Sequence, residues 1–232
     1  MEELKANENK NLEIDVNGDI YLRYAIPTHY VQIGEDYIEL IKKYVAPHYK
    51  EGDILSISEK IIALCQKRVV YKRNMKVSRL AKFLSKFAMS SDAGIGVDCP
   101  YKMQFAIDLC GRIKVIFAAI MAGIGRLFHK KGIFYKIVGT EVSGLDGFYD
   151  GEWSAYRDIG IEIPENPFGV CNEIAEELGI SCMIVDANDL GQEILGFSDE
   201  LEDQEIYLKD FIKDNPAGQG RQRTPIILIR KI

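Results

Sequence analysis

The residues best suited to chemistry stand at Val185-Asp186-Ala187-Asn188-Asp189-Leu190-Gly191. There an apolar run, Cys182-Met183-Ile184-Val185, gives way to two carboxylates and an amide, closed by a glycine. Acidic groups at the carboxyl end of a buried strand sit where α/β proteins place metal and ligand sites. Two carboxylates held about 4 Å apart repel by about 4 kcal/mol at an effective dielectric near 20, and a hard cation would offset that. The same residues also suit a plain turn in which Asp and Asn hydrogen-bond their own backbone. Two further polar loops carry compatible groups. One ends at Asp98, and the other is Gly218-Gln219-Gly220, followed by Arg221 and Arg223. Asp, Asn and Gln offer oxygen ligands only, which suits magnesium, manganese or calcium rather than zinc. Glycines beside arginine can present N–H groups and positive charge to a phosphate.

Several other chemistries are excluded. The sequence holds no glycine-rich phosphate loop ending in Lys-Ser/Thr, no dinucleotide-binding glycine fingerprint and no nucleophile elbow. His29, His48 and His129 are scattered, without the i, i+4 pair of a catalytic zinc site. Cys65, Cys99, Cys110, Cys171 and Cys182 have no metal-ribbon spacing and are odd in number, as expected of reduced thiols in a cytoplasmic protein. Asp186 to Gly191 also fails as a calcium hand, because Leu190 and Phe197 fall where oxygen ligands are required. Asp146, Asp150 and Glu152 read as part of an exposed hairpin.

The elements that must position these loops follow from local pattern. The 232 residues are 47% hydrophobic and 28% charged, ample for a substantial core. The net charge of −6 argues against a nucleic-acid partner, and the basic stretch from Gln66 to Arg73 reads as a solvated edge. The polar start is no secretory signal. The greasiest stretch, Val115 to Gly125, is shorter than the ~20 residues needed to span a bilayer, so no membrane partner is expected. Residues 1–19 read as a loose polar arm, and residues 20–232 as a single domain. Strands are expected at Ile20–Ile26, Ile54–Ser58, Phe134–Val138, Cys182–Val185 and Pro225–Arg230. Helices are expected from Asp36 to Val45, from Glu59, around Leu80–Phe87, over 104–130, from Pro167 to Leu178 with Gly179 ending it, and over Leu201–Asp214. Gly123 and Gly125 in the 104–130 helix suggest close packing against a neighbour. The fold class is therefore α+β or α/β, a mixed sheet with flanking helices.

Read in order, these pieces resemble the coenzyme F420-0:L-glutamate ligases. Ile26-Pro27 through Gly34-Glu35-Asp36 is similar to that family's opening segment. Gly52-Asp53-Ile54-Leu55-Ser56-Ile57-Ser58-Glu59-Lys60 is similar to its "GD" strand and helix. Gly96-Val97-Asp98, Asn188-Asp189-Leu190-Gly191 and Gly218-Gln219 before Thr224-Pro225 stand where the family has its metal-binding loops. The resemblance implies a metal set of Asp98, Asn188, Asp189 and Gln219, with Asp186 an extra carboxylate. It implies a nucleotide set of Ile26, Pro27, Thr28, Ser58, Lys60, Gly218, Gly220 and Arg221. The implied activity is a Mg2+- or Mn2+-dependent, GTP-using amide ligase joining glutamate or a similar amine to a small-molecule carboxylate, in a homodimer. Its alternative is a non-catalytic metal- or small-molecule-binding protein on the same scaffold. Three departures stand out. The family's nucleotide-contacting lysine falls on Leu64, Pro100-Tyr101 replaces the residues after the metal-binding Asp, and the "RPWR" after the glycine is missing.

Overall fold

The computed structural model describes residues 4–88, 96–148, 156–188, 191–218 and 222–232. The chain is mixed α and β, as its patterning predicts, and it groups into two compact units. Met1–Lys67 and Pro164–Ile232 make the first unit, and Arg68–Ile163 make the second.

Among the described residues, the first unit holds a six-stranded mixed sheet in the order β1-β2-β9-β3-β7-β8. The strands are β1 (Glu13–Val16), β2 (Asp19–Ile26), β3 (Ile54–Ser58), β7 (Cys182–Asn188), β8 (Gly191–Phe197) and β9 (Ile226–Lys231). β3 and β7 run parallel, and the other neighbours run antiparallel. The central strands are almost wholly apolar because both faces are covered. On one face lie α1 (Tyr37–Tyr44), α2 (Glu59–Cys65) and α8 (Pro167–Leu178). On the other, Met183, Val185, Ile227 and Ile229 pack against Leu201, Leu208 and Phe211.

The caps follow local sequence. Asp36 accepts from the N–H groups of Ile38 and Glu39 to start α1, Asn166 accepts from Gly169 N–H to start α8, and left-handed Gly179 ends it. The arm before residue 20 is not loose. Ile14 and Val16 alternate with exposed Glu13 and Asp15, so β1 has an apolar face to bury and pairs with β2. Arg23, 1% exposed, ties this edge to the segment after α9 (Leu208–Phe211). It donates to the carbonyls of Asn11 (2.8 Å) and Phe211 (3.2 Å) and to both carboxylate oxygens of Asp214. The expected helix over Leu201–Asp214 is instead a 3-10 stretch at Asp199–Tyr207 followed by short α9.

The second unit holds a small antiparallel sheet in the order β4-β6-β5, made of β4 (Val69–Tyr71), β5 (Asp146–Gly147) and β6 (Ile159–Ile161). Its helices are α3 (Arg79–Ser85), α4 (Pro100–Cys110), α5 (Arg112–Leu127), α6 (Ile133–Val138) and α7 (Thr140–Ser143). The helix expected over 104–130 is two helices, broken at Gly111, whose φ of 81° leaves the right-handed helical region. The strand expected at Phe134–Val138 is the helix α6, because a short apolar run has no period long enough to distinguish the two. Gly125 packs closely as expected, since a Cβ there would stand 2.0 Å from Ile133 Cδ1, whereas Gly123 faces open space. Lys102, 3% exposed, is held in this core by the carbonyls of Ser143 (3.0 Å) and Leu145 (2.6 Å).

Candidate functional site

Strand direction decides where the candidate residues of the first unit meet. β2, β3 and β7 point the same way and β9 opposes them. The carboxyl ends Ile26, Ser58 and Asn188 and the start of β9 therefore share one end of the sheet. Backbone bonds lock that end: Thr28 N–H donates to Arg223 O (2.9 Å) and Ser58 N–H to Pro225 O (2.8 Å). Asn7 fastens the approach to β9, its side-chain amide donating to the carbonyls of Pro216 (2.7 Å) and Ala217 (3.1 Å). Gly218, with φ of 73°, turns the chain here, and its N–H bonds Asn215 O at 3.0 Å. Ile26, Pro27, Thr28, Ser58, Lys60, Asp186, Asn188 and Gly218 are thus carried to one sheet end by four separate stretches of chain. Asp189, Gln219, Gly220 and Arg221 lie outside the described residues, as do Asp150 and Glu152. Asp98 belongs to the second unit, in the turn before α4.

Asp186 and Asn188 are the tip of a β-hairpin rather than a loop at a strand end. Asp186 pairs with Glu193 and Asn188 with Gly191. The Asn188 side-chain oxygen accepts from Gly191 N–H at 3.1 Å, so the amide does cap its own turn. The register shifts between Ile184 and Val185, making Leu195 an extra residue on β8. Because side chains alternate along a strand, Asp186 and Asn188 share the sheet face of Cys182, beside Cys171 of α8. Ser58 is level with Val185 and so lies on the opposite face. As a donor set, Asp186 and Asn188 fit a hard divalent cation: both are half-buried, both offer oxygen, and they share one face. Among the described residues no group of three or more His, Cys, Asp or Glu could hold a metal ion.

The structure adds a constellation that spacing did not reveal. His29, two residues beyond Pro27, has Nδ1 2.8 Å from the Tyr44 hydroxyl and Nε2 2.9 Å from both oxygens of Glu35. Gln32 N–H also donates to Glu35. Burial pushes the Glu35 carboxyl up, but the bonds from Gln32 and His29 and the charges of His29 and Lys43 outweigh it and hold it below its ordinary value. A carboxylate on one ring nitrogen and a hydroxyl on the other fix the ring orientation, and the imidazole remains 39% exposed. Such a group can take up or give a proton at this sheet end. Its sequence signal was weak: a His and a Glu six residues apart, brought together by the Gly34 turn, with Tyr44 arriving from α1. Beside it, the Arg223 guanidinium lies over the Tyr30 ring, 5.4 Å from its centre.

Two positions bear on the nucleotide set. Leu64, where the family's lysine falls, is fully buried in α2, and Lys60 occupies the first turn of the same helix. A shallow depression of about 330 Å3 lies at the opposite end of the sheet, bordered by Asp19, Gly52 and Lys231, and touches none of the candidate residues. Compared with known proteins, the chain matches no family model and no curated protein.

Proposed function

We propose that the chain is a divalent-metal-dependent ligase that uses GTP to join a glutamate-like amine to a small-molecule carboxylate. It would work in the cytoplasm, as a homodimer. The observation that carries this reading is the convergence of Ile26 to Thr28, Ser58 and Lys60, Asp186 to Asn188 and Gly218 at one sheet end. These are the segments that the resemblance to the F420-0:glutamate ligases assigns to nucleotide and metal. Asp186, Asn188 and Asp189, with Gln219, would hold Mg2+ or Mn2+. When bound, the ion supplies positive charge against the transferred phosphoryl group. Thr28, Ser58 and the Gly220 N–H bind phosphate oxygens, Gly218 lines the nucleotide, and Lys60 and Arg221 add charge. The substrate carboxylate attacks the terminal phosphorus, releasing GDP and forming an acyl phosphate. The amine then attacks the acyl carbon, phosphate leaves, and His29, backed by Glu35, takes the amine proton.

A second reading, a non-catalytic metal- or small-molecule-binding protein, is favoured by buried Leu64 in place of the nucleotide lysine. Thermal shift with GTP, ATP and GDP, with and without Mn2+, separates the two. Nucleotide at a hundred times its dissociation constant adds about 2.7 kcal/mol, a rise of roughly 5–10 °C for this chain length. No shift with any nucleotide plus metal sinks the ligase reading. A shift with metal alone, lost in Asp189→Ala, supports the second.

A further inference from the structure

α5 is amphipathic the wrong way round for a helix of a closed core. Its inward face carries small groups: Val115, Ala118, Ala122 and Gly125 meet the second unit's core or α6. Its large side chains, Ile113, Ile116, Phe117, Ile120, Ile124 and Leu127, point to solvent, with Ile113 87% and Leu127 78% exposed. At 100° per residue those six fall within an arc of about 100°, a continuous stripe along a helix about 24 Å long. Arg126 donates to Phe87 O (3.1 Å), bringing the end of α3 beside the end of α5. There the exposed rings of Phe83 and Phe87 extend the apolar surface.

The charge around this surface has one sign. No acidic residue occurs from Lys60 to Ser91 or from Leu109 to Thr140. Exposed Lys82, Lys86, Arg112, Lys114, Lys130 and Lys131 belong to these stretches. The asymmetry extends to the units. Arg68–Ile163 carries 15 basic and 9 acidic residues, net +6, while the remainder carries 14 and 26, net −12.

We propose that the α5 face, with Phe83 and Phe87, docks the protein onto an anionic lipid bilayer. A bilayer surface supplies both things the face lacks: a hydrocarbon layer for the apolar stripe and negative headgroups for the flanking lysines and arginines. A second copy is the poorer occupant, because a two-fold contact sets the same patch against itself and opposes like charges. The helix lies on the membrane rather than through it. Among the described residues no helix is long and apolar enough to cross one, and α5 is shorter than the ~30 Å hydrocarbon core.

The test is co-sedimentation of the full chain with phosphatidylcholine vesicles, with and without phosphatidylglycerol, at low and raised salt. Binding should require phosphatidylglycerol and weaken with salt. Phe117→Glu with Ile120→Glu should abolish it with the circular dichroism unchanged, since both side chains project to solvent. Lys130→Ala with Lys131→Ala should weaken it about thirtyfold. Absence of binding to phosphatidylglycerol vesicles at low salt overturns the proposal, as does equal binding to pure phosphatidylcholine or binding indifferent to the Glu substitutions. Sedimentation velocity provides the last arm. A stable dimer that dissociates in the Glu variant, without vesicle binding by the wild type, assigns the face to a second copy and overturns the proposal.

Discussion

Ser58 and Val185 stand side by side as the last paired residues of the parallel strands β3 and β7. Beyond them the two strands part. β3 turns at once into α2, while β7 runs three residues further as one arm of a hairpin with β8. Asp186 and Asn188 therefore project past the end of β3, level with the start of α2. This is the carboxyl end of the parallel pair β3 and β7, the end at which open sheets bind ligands.

Backbone proximity makes two glycines opposite in effect. A Cβ at Gly196 would lie 2.6 Å from Phe168 N and from Pro167 C, atoms that cannot turn aside, whereas one at Gly123 meets nothing within 4 Å. Gly196→Ala should lower stability by about 1–3 kcal/mol. Gly123→Ala, in the interior of α5, should raise it by up to about 1 kcal/mol. Thermal melts of the two variants check the pair, and equal effects would contradict the packing described.

Asp53, 2% exposed, accepts from Arg230 Nε (2.8 Å) and Nη2 (2.6 Å) and from Lys50 N–H (2.8 Å). Arg230 is itself only 15% exposed. Asp53→Ala leaves its guanidinium without a carboxylate beside the β3–β9 pair and should cost about 3–5 kcal/mol. Asp53→Asn, which still accepts from Lys50, should cost less. Urea denaturation ranks the two, and a reversed order would show that the ion pair is not the main loss.

Acid should weaken the first unit through two carboxylates. Burial raises the Asp214 carboxyl, but the hydrogen bonds and charge of Arg23 outweigh it and leave it lowered, as His29 and Gln32 do for Glu35. A folded-state value below the unfolded one contributes stability that is complete above about pH 4 and lost as pH falls through the lowered value. Asp214→Asn and Glu35→Gln should each reduce the urea midpoint at neutral pH and flatten its decline below about pH 4. A decline as steep as that of the wild type would assign acid sensitivity to other groups.

Thiol reactivity should divide the five cysteines. Burial, with the negative charges of Glu35 and Asp36, pushes the Cys65 thiol up to about 12. The hydrogen bond with Cys171, together with burial, holds Cys182 well above its ordinary value. Cys99 and Cys110 are half-buried. Iodoacetamide under native conditions should therefore alkylate Cys99 and Cys110 first, because the thiolate is the nucleophile. Peptide mass spectrometry reads the order, and early labelling of Cys65 would contradict its burial.

Elements with strong local signals were legible from the chain alone. Ile54–Ser58 forms as a short buried strand between a turn and a helix start, and Pro167–Leu178 forms between an Asn cap and a left-handed glycine. Mixed fold class follows from the two periods in the sequence. Phe134–Val138 was not legible, since five residues satisfy either period, and packing against α5 makes it a helix. The β7–β8 hairpin was missed for a related reason. Val185 to Gly191 encodes a turn, but nothing local states that the chain after it returns to pair with β7.

The candidate site divides along the same line. Residue type alone made Asp186, Asn188 and Gly218 eligible as oxygen or N–H donors, because ligand chemistry is a property of the side chain or of glycine's exposed backbone. Their placement at the same end of the sheet as Thr28 and Ser58 is a long-range outcome, set by which strands run parallel. The His29–Glu35–Tyr44 contact needs a turn and a helix to close it. The α5 stripe shows the limit most plainly: its spacing is that of an amphipathic helix whichever way it faces. Only the packing of Ala118, Ala122 and Gly125 inward decided that Ile113, Phe117 and Leu127 face out.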